Sequence, residues 1–279
     1  MPSLATLETS SPVKMLLMGD PGTGKTGALA SLAKAGYKLR ILDFDNGLQI
    51  LPKLLAGDSA AIARVEHETC IDDYIPMGDQ MVPKSTKAAT KAMKLLNEWK
   101  VTDASGQTTT LGKPSEWGRD TILVIDSLTH LSKAVFNNVL SMNGRLGKQA
   151  FQSDWGEAIR VVESIIQALY GNTIKCNVII LAHITYQGTE INDADIRGYP
   201  MSLGNKLPAM MGSYFNVVCQ VQTKGSGANL RRTIQTVSSG KVDLKTSDPK
   251  KVPAELPQDT GLADLFKILL GNPTTESGK

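Results

Sequence analysis

Residues Gly19, Asp20, Pro21, Gly22, Thr23, Gly24, Lys25 and Thr26 spell GDPGTGKT, a full match to G-x-x-x-x-G-K-[ST]. The apolar run from Val13 to Met18 directly precedes it. Glycine admits backbone torsions that a β-carbon forbids, so successive N–H groups of such a loop can turn inward onto an anion. Lys25 then carries a mobile cation to the β- and γ-phosphates, and the Thr26 hydroxyl is placed to ligate Mg²⁺. Gly27 opens a helix-prone stretch that ends at Gly36, which sets the phosphates at a helix N-terminus where the dipole favours negative charge. The chemistry implied is binding of a nucleoside triphosphate, with ATP and Mg²⁺ as cofactors.

Three further positions carry candidate chemistry. Asp126 ends the apolar strand Thr121 to Ile125, where a carboxylate can hold the metal beside Thr26; a strand-end cap for the next helix is the plainer alternative. Asp43 and Asp45 alternate along a second strand, so one faces the nucleotide side; Asp45, nearer the strand end, is the candidate for polarising the attacking water. Asp45-Asn46-Gly47 also reads as a turn. His183 tips the strand Asn177 to Ala182, either as a hydrogen-bonded structural residue or as a reporter of the γ-phosphate.

The elements that must position these groups repeat as strand, helix, strand, with strands apolar throughout, which predicts an α/β fold with a mostly parallel central sheet covered by helices on both faces. Ligands of such sheets gather at the carboxyl edge. Strands are expected at Lys38 to Asp45, around Arg64 to Thr69, and at the two strands ending in Asp126 and His183. Helices are expected at Leu48 to Leu55, Lys84 to Lys100, Leu128 to Leu140, Ser153 to Tyr170 and Leu262 to Leu270. Lys84, Lys87, Lys91 and Lys94 share one helix face, a stripe that reads as a solvated face before it reads as a DNA track. Asp72 to Pro83 reads as a loop, Val101 to Asp120 as an exposed excursion with a possible hairpin, and Ile184 to Thr246 as a long loop followed by a β-rich C-terminal part. One domain is expected over residues 13–271, between a flexible N-terminus (1–12) and a flexible tail (272–279).

With 279 residues, 41% of them apolar, the chain can bury a substantial core. A formal charge of +3 does not by itself establish a nucleic-acid partner. Cys70, Cys176 and Cys219 lie far apart without CxxC pairing and read as reduced core residues, neither metal ligands nor bridges. No stretch approaches the ~18 apolar residues needed to cross a bilayer, and the N-terminus lacks a signal pattern. A cytoplasmic protein without membrane association is expected.

In motif order the chain resembles the RecA-like recombinase ATPases, especially the small phage-encoded single-domain versions described as RecA-like single-strand annealing proteins. GDPGTGKT resembles their Walker A, Ile122 to Ser127 their Walker B with its Asp-Ser pair, and Asp43-Phe44-Asp45 the strand carrying their catalytic Glu, here one methylene shorter. The resemblance spans about Val13 to Lys245. It implies a RecA-like P-loop NTPase fold and an ATPase that assembles on single-stranded DNA in recombination or annealing, as a ring or filament. A single-stranded-DNA-binding protein is a further partner it suggests. It places His183 as γ-phosphate sensor and the DNA-lining loops at Ser141 to Gln152 and Thr185 to Leu203. Arg145, Lys148 and Arg197 would then meet phosphates, while Phe151, Tyr186 and Tyr199 stack on bases, a contact worth roughly 1–3 kcal/mol per base. Lys241 and Lys245, with Arg231-Arg232 as a second pair, fall where the family reaches into a neighbour's site. A nucleotide-gated scaffold with negligible turnover, and a ring helicase or helicase loader, are the alternatives. A small-molecule kinase lacks its Arg-rich lid here.

Overall fold

The computed structural model describes residues 11–102, 105–188 and 196–271. Residues 1–10 of the flexible N-terminus expected over 1–12, and the expected tail 272–279, lie outside the described residues, as does the centre of the 185–203 segment.

The chain runs β1 (Lys14–Met18), α1 (Lys25–Lys34), β2 (Lys38–Asp43), α2 (Ile50–Leu54), α3 (Ser59–Ile62), β3 (Val65–Thr69), β4 (Tyr74–Met77), β5 (Gln80–Pro83) and α4 (Lys87–Asn97). It continues with β6 (Trp99–Thr102), β7 (Thr108–Gly112), β8 (Thr121–Asp126), α5 (Leu128–Met142), α6 (Gln152–Tyr170), β9 (Asn177–Ala182), β10 (Ile184–Gln187) and β11 (Arg197–Pro200). Last come α7 (Lys206–Met211), β12 (Val217–Lys224), β13 (Arg231–Gln235), β14 (Glu255–Pro257) and α8 (Gly261–Leu270).

Eight strands form one sheet in the order β14-β13-β12-β1-β9-β8-β2-β3. The stretch from β12 to β3 is parallel, and β13 and β14 add antiparallel at the C-terminal edge. This is the α/β class the sequence predicts: a mostly parallel central sheet flanked by helices and ending in a β-rich part. Period-two alternation divides the strands between two cores. Leu16, Leu123, Ile125, Val178 and Ile180 pack with α5 and α6 on one face. Met15, Leu17, Ile122, Val124, Ile179 and Leu181 pack with α1 and α8 on the other. Burial on both faces is why β1, β8 and β9 read as unbroken apolar runs.

β1 is fixed at its start by polar clips. Asn177 Oδ1 accepts from the Val13 N–H and Asn216 Oδ1 from the Lys14 N–H, each at 2.8 Å. The buried Lys14 ammonium donates to the carbonyls of Ile174 (2.6 Å) and Cys176 (3.0 Å), and burial pushes its pKa down to about 8.

The structure departs from the sequence reading in three places. Asp72 to Pro83 contains the hairpin β4–β5. The helix expected over Lys84 to Lys100 is shorter, because Glu98 is already extended and Trp99 begins a strand, fully buried against Trp117. The 184–246 region holds the β10–β11 hairpin and α7. The expected hairpin between Val101 and Asp120 is β6–β7. Of the lysine stripe, Lys87 pairs with Asp73 and Lys91 with Glu68. No helix among the described residues is long and apolar enough to cross a membrane.

Candidate functional site

The parallel register carries β1, β8, β9 and the end of β2 to one carboxyl edge. Asp43 lies beside Asp126, and the Gly19 N–H donates to Ala182 O at 3.2 Å. At that edge the loop of residues 19–26 closes on itself: Thr23 donates to Asp20 O through its N–H (3.3 Å) and its hydroxyl (2.8 Å). Gly24, at φ +97°, precedes α1 without a side-chain cap, so the first N–H groups of the helix keep their donors for an anion. A β-carbon at Gly19 would come within 2.7 Å of Thr23 Oγ1 and 2.8 Å of Val221 O, so glycine is required there. At Gly22, φ +78°, the same carbon would meet open space.

Lys25 is folded over this loop, donating to Gly19 O (2.7 Å) and Asp20 O (3.0 Å), with His183 Nδ1 at 3.3 Å. Burial lowers its pKa, and Asp126, Asp45 and Asp20 oppose that shift. The Thr26 hydroxyl donates to Asp126 Oδ2 at 2.8 Å. Asp126 is buried, and burial pushes its carboxyl up to about 7, reinforced by Asp45 and Asp43 and opposed by Thr26 and Lys25. Negative charge held at such cost beside a threonine hydroxyl suits a cation. Thr26 and Asp126 are therefore the pair that would hold Mg²⁺.

Asp43 and Asp45 do diverge, but not by strand alternation, which sets residues two apart on one face: β2 ends at Asp43, and Asp45 lies in the turn that follows. Asp43 is buried and accepts from the N–H groups of Asp45 (3.1 Å) and Gly47 (3.4 Å), building the turn in which Asn46 sits at φ 53°. Asp45 turns to the site. Its Oδ1 accepts from the Ser127 N–H (3.1 Å) and hydroxyl (2.8 Å) and meets His130 Nδ1 at 2.6 Å, while Oδ2 lies 3.6 Å from His183 Nε2. Burial favours its neutral form, but the hydrogen bonds from His130, His183 and Ser127 prevail and hold the carboxyl well below the usual range. The same bond raises the pKa of His130.

Lys25 and Asp45 thus meet at His183, and Thr26 meets Asp126 within range of their charges. Tyr186 borders them: burial and the Asp20 charge push its phenol pKa up, against a hydrogen bond with Gln220. The remaining sequence candidates form two other groups. Arg145 forks onto the fully buried carboxylate of Asp154, and its guanidinium lies 4.7 Å from the centroid of Phe151. Lys148 reaches Gly144 O at 3.2 Å, and Phe151 is 58% exposed. On the β10–β11 hairpin, Tyr199 pairs with Thr185, and Arg197 donates to Gly240 O at 2.6 Å. Lys241 and Lys245 expose their side chains from a segment that pairs through its backbone with Gly198 and Val218.

Sequence reading missed His130 and Gln258. His130 lies one helical turn beyond Asp126 and Ser127, a spacing that sets it on their side of α5 and was there to be used. Gln258 Nε2 donates to Gly24 O at 2.8 Å across more than two hundred residues, a contact made by the fold alone. With Arg231, Arg232 and Asp259 it lines a groove of about 590 Å³ next to the phosphate loop.

A family model described as an AAA domain matches residues 11–247. No curated protein matches the chain. Among solved structures the chain is similar to the RadB recombinase, at 13% identity and TM-score 0.42 over 81% of each chain. It is also similar to the flagellar accessory protein FlaH from Methanocaldococcus jannaschii, at 9% identity and TM-score 0.42 over 90% of this chain and 89% of that one. An ATPase of the type III secretion system of pathogenic bacteria is a third, at 12% identity and TM-score 0.44 over 76% of this chain and 52% of that one.

Proposed function

The chain belongs to the AAA-domain family matched over residues 11–247, and from that premise we propose that it is a Mg²⁺-dependent ATPase that binds single-stranded DNA and couples the two activities in recombination or annealing. One observation carries the reading: Lys25, Thr26, Asp126, Asp45 and His183 converge at one sheet edge, and the candidate DNA-lining segment begins two residues after His183.

In this reading the loop N–H groups and Lys25 bind the phosphates, Lys25 leaving the Gly19 and Asp20 carbonyls to do so. When bound at Thr26 and Asp126, Mg²⁺ neutralises charge on the phosphate oxygens. Asp45 orients water and accepts its proton, with Ser127 and His130 fixing the carboxylate. His183 touches both Lys25 and Asp45, so any movement of Lys25 toward phosphate reaches the residue at the root of β10. Order in that hairpin would then follow the nucleotide state, with Tyr186, Arg197 and Tyr199 on the responding element.

Steady-state phosphate release with and without single-stranded DNA tests this. Stimulation by DNA is expected, together with binding that weakens steeply as salt rises. Undiminished nucleotide affinity in Lys25→Ala, or DNA binding indifferent to salt, overturns it. A nucleotide-gated scaffold is favoured instead by the saturation of Asp45 Oδ1 with three donors, which leaves less of the carboxylate for water. Tight ATP binding without phosphate release would select it, and directed strand displacement would select a ring helicase.

A further inference from the structure

Asp45, His130 and His183 also form a constellation whose donor atoms suit a metal ion. Among the described residues they are the group of His, Cys, Asp or Glu side chains whose ligand atoms all lie within 4.8 Å of one another. The chain has three histidines, and two of them face this one carboxylate. They come from separate elements: Asp45 from the turn after β2, His130 from the first turn of α5, and His183 from the tip of β9.

Two imidazole nitrogens and one carboxylate form a donor set that suits first-row transition ions, whereas Mg²⁺ takes oxygen ligands. Thr26 and Asp126 offer only oxygens. The geometry points to a second cation site, in which Asp45, His130 Nδ1 and His183 Nε2 take a divalent transition ion of the zinc, cobalt or nickel class beside the oxygen-lined Mg²⁺ pair. Asp43 and Asp126 lie close enough to add negative field, against the ammonium of Lys25. Coordination through His183 Nε2 leaves the ring proton on Nδ1, so Lys25 gives up its 3.3 Å contact there and keeps the Gly19 and Asp20 carbonyls or moves to phosphate. His130 is 46% exposed, which gives the ion an open approach from solvent.

The consequence for turnover rests on the function proposed above. An ion on Asp45 and His183 occupies both the carboxylate that would accept the proton of water and the histidine beside Lys25, so it would arrest hydrolysis while the phosphate loop stays free to bind nucleotide. The site would make the ATPase sensitive to transition metals.

Equilibrium dialysis of Co²⁺ against the nucleotide-free protein in excess Mg²⁺ tests the site separately from the ATPase. One Co²⁺ per chain is expected, with affinity falling by at least about 10–100-fold, the range seen even when outer-shell partners are lost, in Asp45→Asn, His130→Ala and His130→Gln. His67→Ala should bind as the unaltered chain does, His67 lying on β3 away from the cluster. Circular dichroism verifies that each variant is folded. No bound Co²⁺, Co²⁺ displaced by Mg²⁺, or equal affinity in folded His130→Gln overturns the site whatever the ATPase assay gives. Binding with no phosphate release under any condition would keep the site and refute the hydrolytic reading. In the unaltered protein, Zn²⁺ should lower turnover without lowering ATP affinity; a parallel loss of both refutes the arrest.

Discussion

Two aspartates separated by one residue do different work because a strand and the turn after it point them apart. Asp43 spends its carboxylate on the backbone of its own turn, and Asp45 faces Ser127, His130 and His183. Asp45→Asn should therefore lower single-turnover phosphate release by roughly 10²–10⁴-fold, the value of positioned acid–base help, with ATP affinity little changed. Asp43→Ala should instead lower the melting temperature, since the Asp45 and Gly47 N–H groups that shape the turn lose their acceptor. Equal loss of turnover in Asp43→Ala and Asp45→Asn, with both variants as stable as the parent, would contradict this division. The pH dependence belongs to Asp45 as well. Its folded pKa is depressed, so the stability it contributes is present above the ordinary carboxylate pKa and is lost as pH falls through the folded value. Asp45→Asn should flatten the acid limb of the stability profile.

At the scale of elements, β1 shows how a buried charge is tolerated. Lys14 has two carbonyl partners, and burial lowers its pKa to about 8. A lysine depressed in the fold is held partly neutral while the unfolded chain keeps its proton, so its penalty lessens as pH rises from about 8 toward the ordinary lysine value of 10.5. The stability of the parent relative to Lys14→Met should rise over that window. Taking the difference is necessary, because the buried thiols of Cys176 and Cys219, pushed up to about 11 and about 12, act in the opposite sense above their ordinary pKa. Denaturant melts of both proteins across the window measure it, and a constant difference refutes the assignment. The Arg145–Asp154 pair ties the 143–151 loop to the start of α6, with Asp154 Oδ2 also accepting from the Phe151 N–H at 2.7 Å. Arg145→Ala should accordingly lower the melting temperature where Lys148→Ala does not, and only the Lys148 change should weaken DNA binding with stability kept.

What could be read in the chain follows from this same scale. The phosphate loop, the apolar strands and Asp126 were legible because local spacing and continuous burial encode them. Trp99 was not, since the helix-forming residues before it run on without a Gly or Pro to stop them, and its strand exists only against β7, with the Trp117 ring packed on it. The exposed β4–β5 hairpin, with prolines at 76 and 83, carries no apolar alternation to announce it. Gln258 reaches Gly24 only after β13 and β14 have joined the sheet, so no window of sequence contains that contact.

For the whole molecule the remaining question is whether one chain completes its own site. Lys25 contacts His183, and Lys241 and Lys245 expose their side chains from a segment whose backbone is tied to Gly198 and Val218. A lysine on so firm a rail can complete a neighbour's site if chains assemble with that rail facing the next phosphate loop. Cations acting in trans in this manner contribute roughly 10³–10⁵ in rate. Turnover per chain should then rise with protein concentration, and with any DNA long enough to gather several chains. Mixing tests the geometry more sharply. Lys25→Ala has no working phosphate loop but keeps Lys241 and Lys245, and the double variant Lys241→Ala, Lys245→Ala has the reverse. Each alone should be nearly inactive, and together they should recover turnover, because a mixed junction pairs an intact loop with intact lysines. No recovery, along with turnover independent of concentration, would place the full set of catalytic charges within one chain and remove the need for a ring or filament.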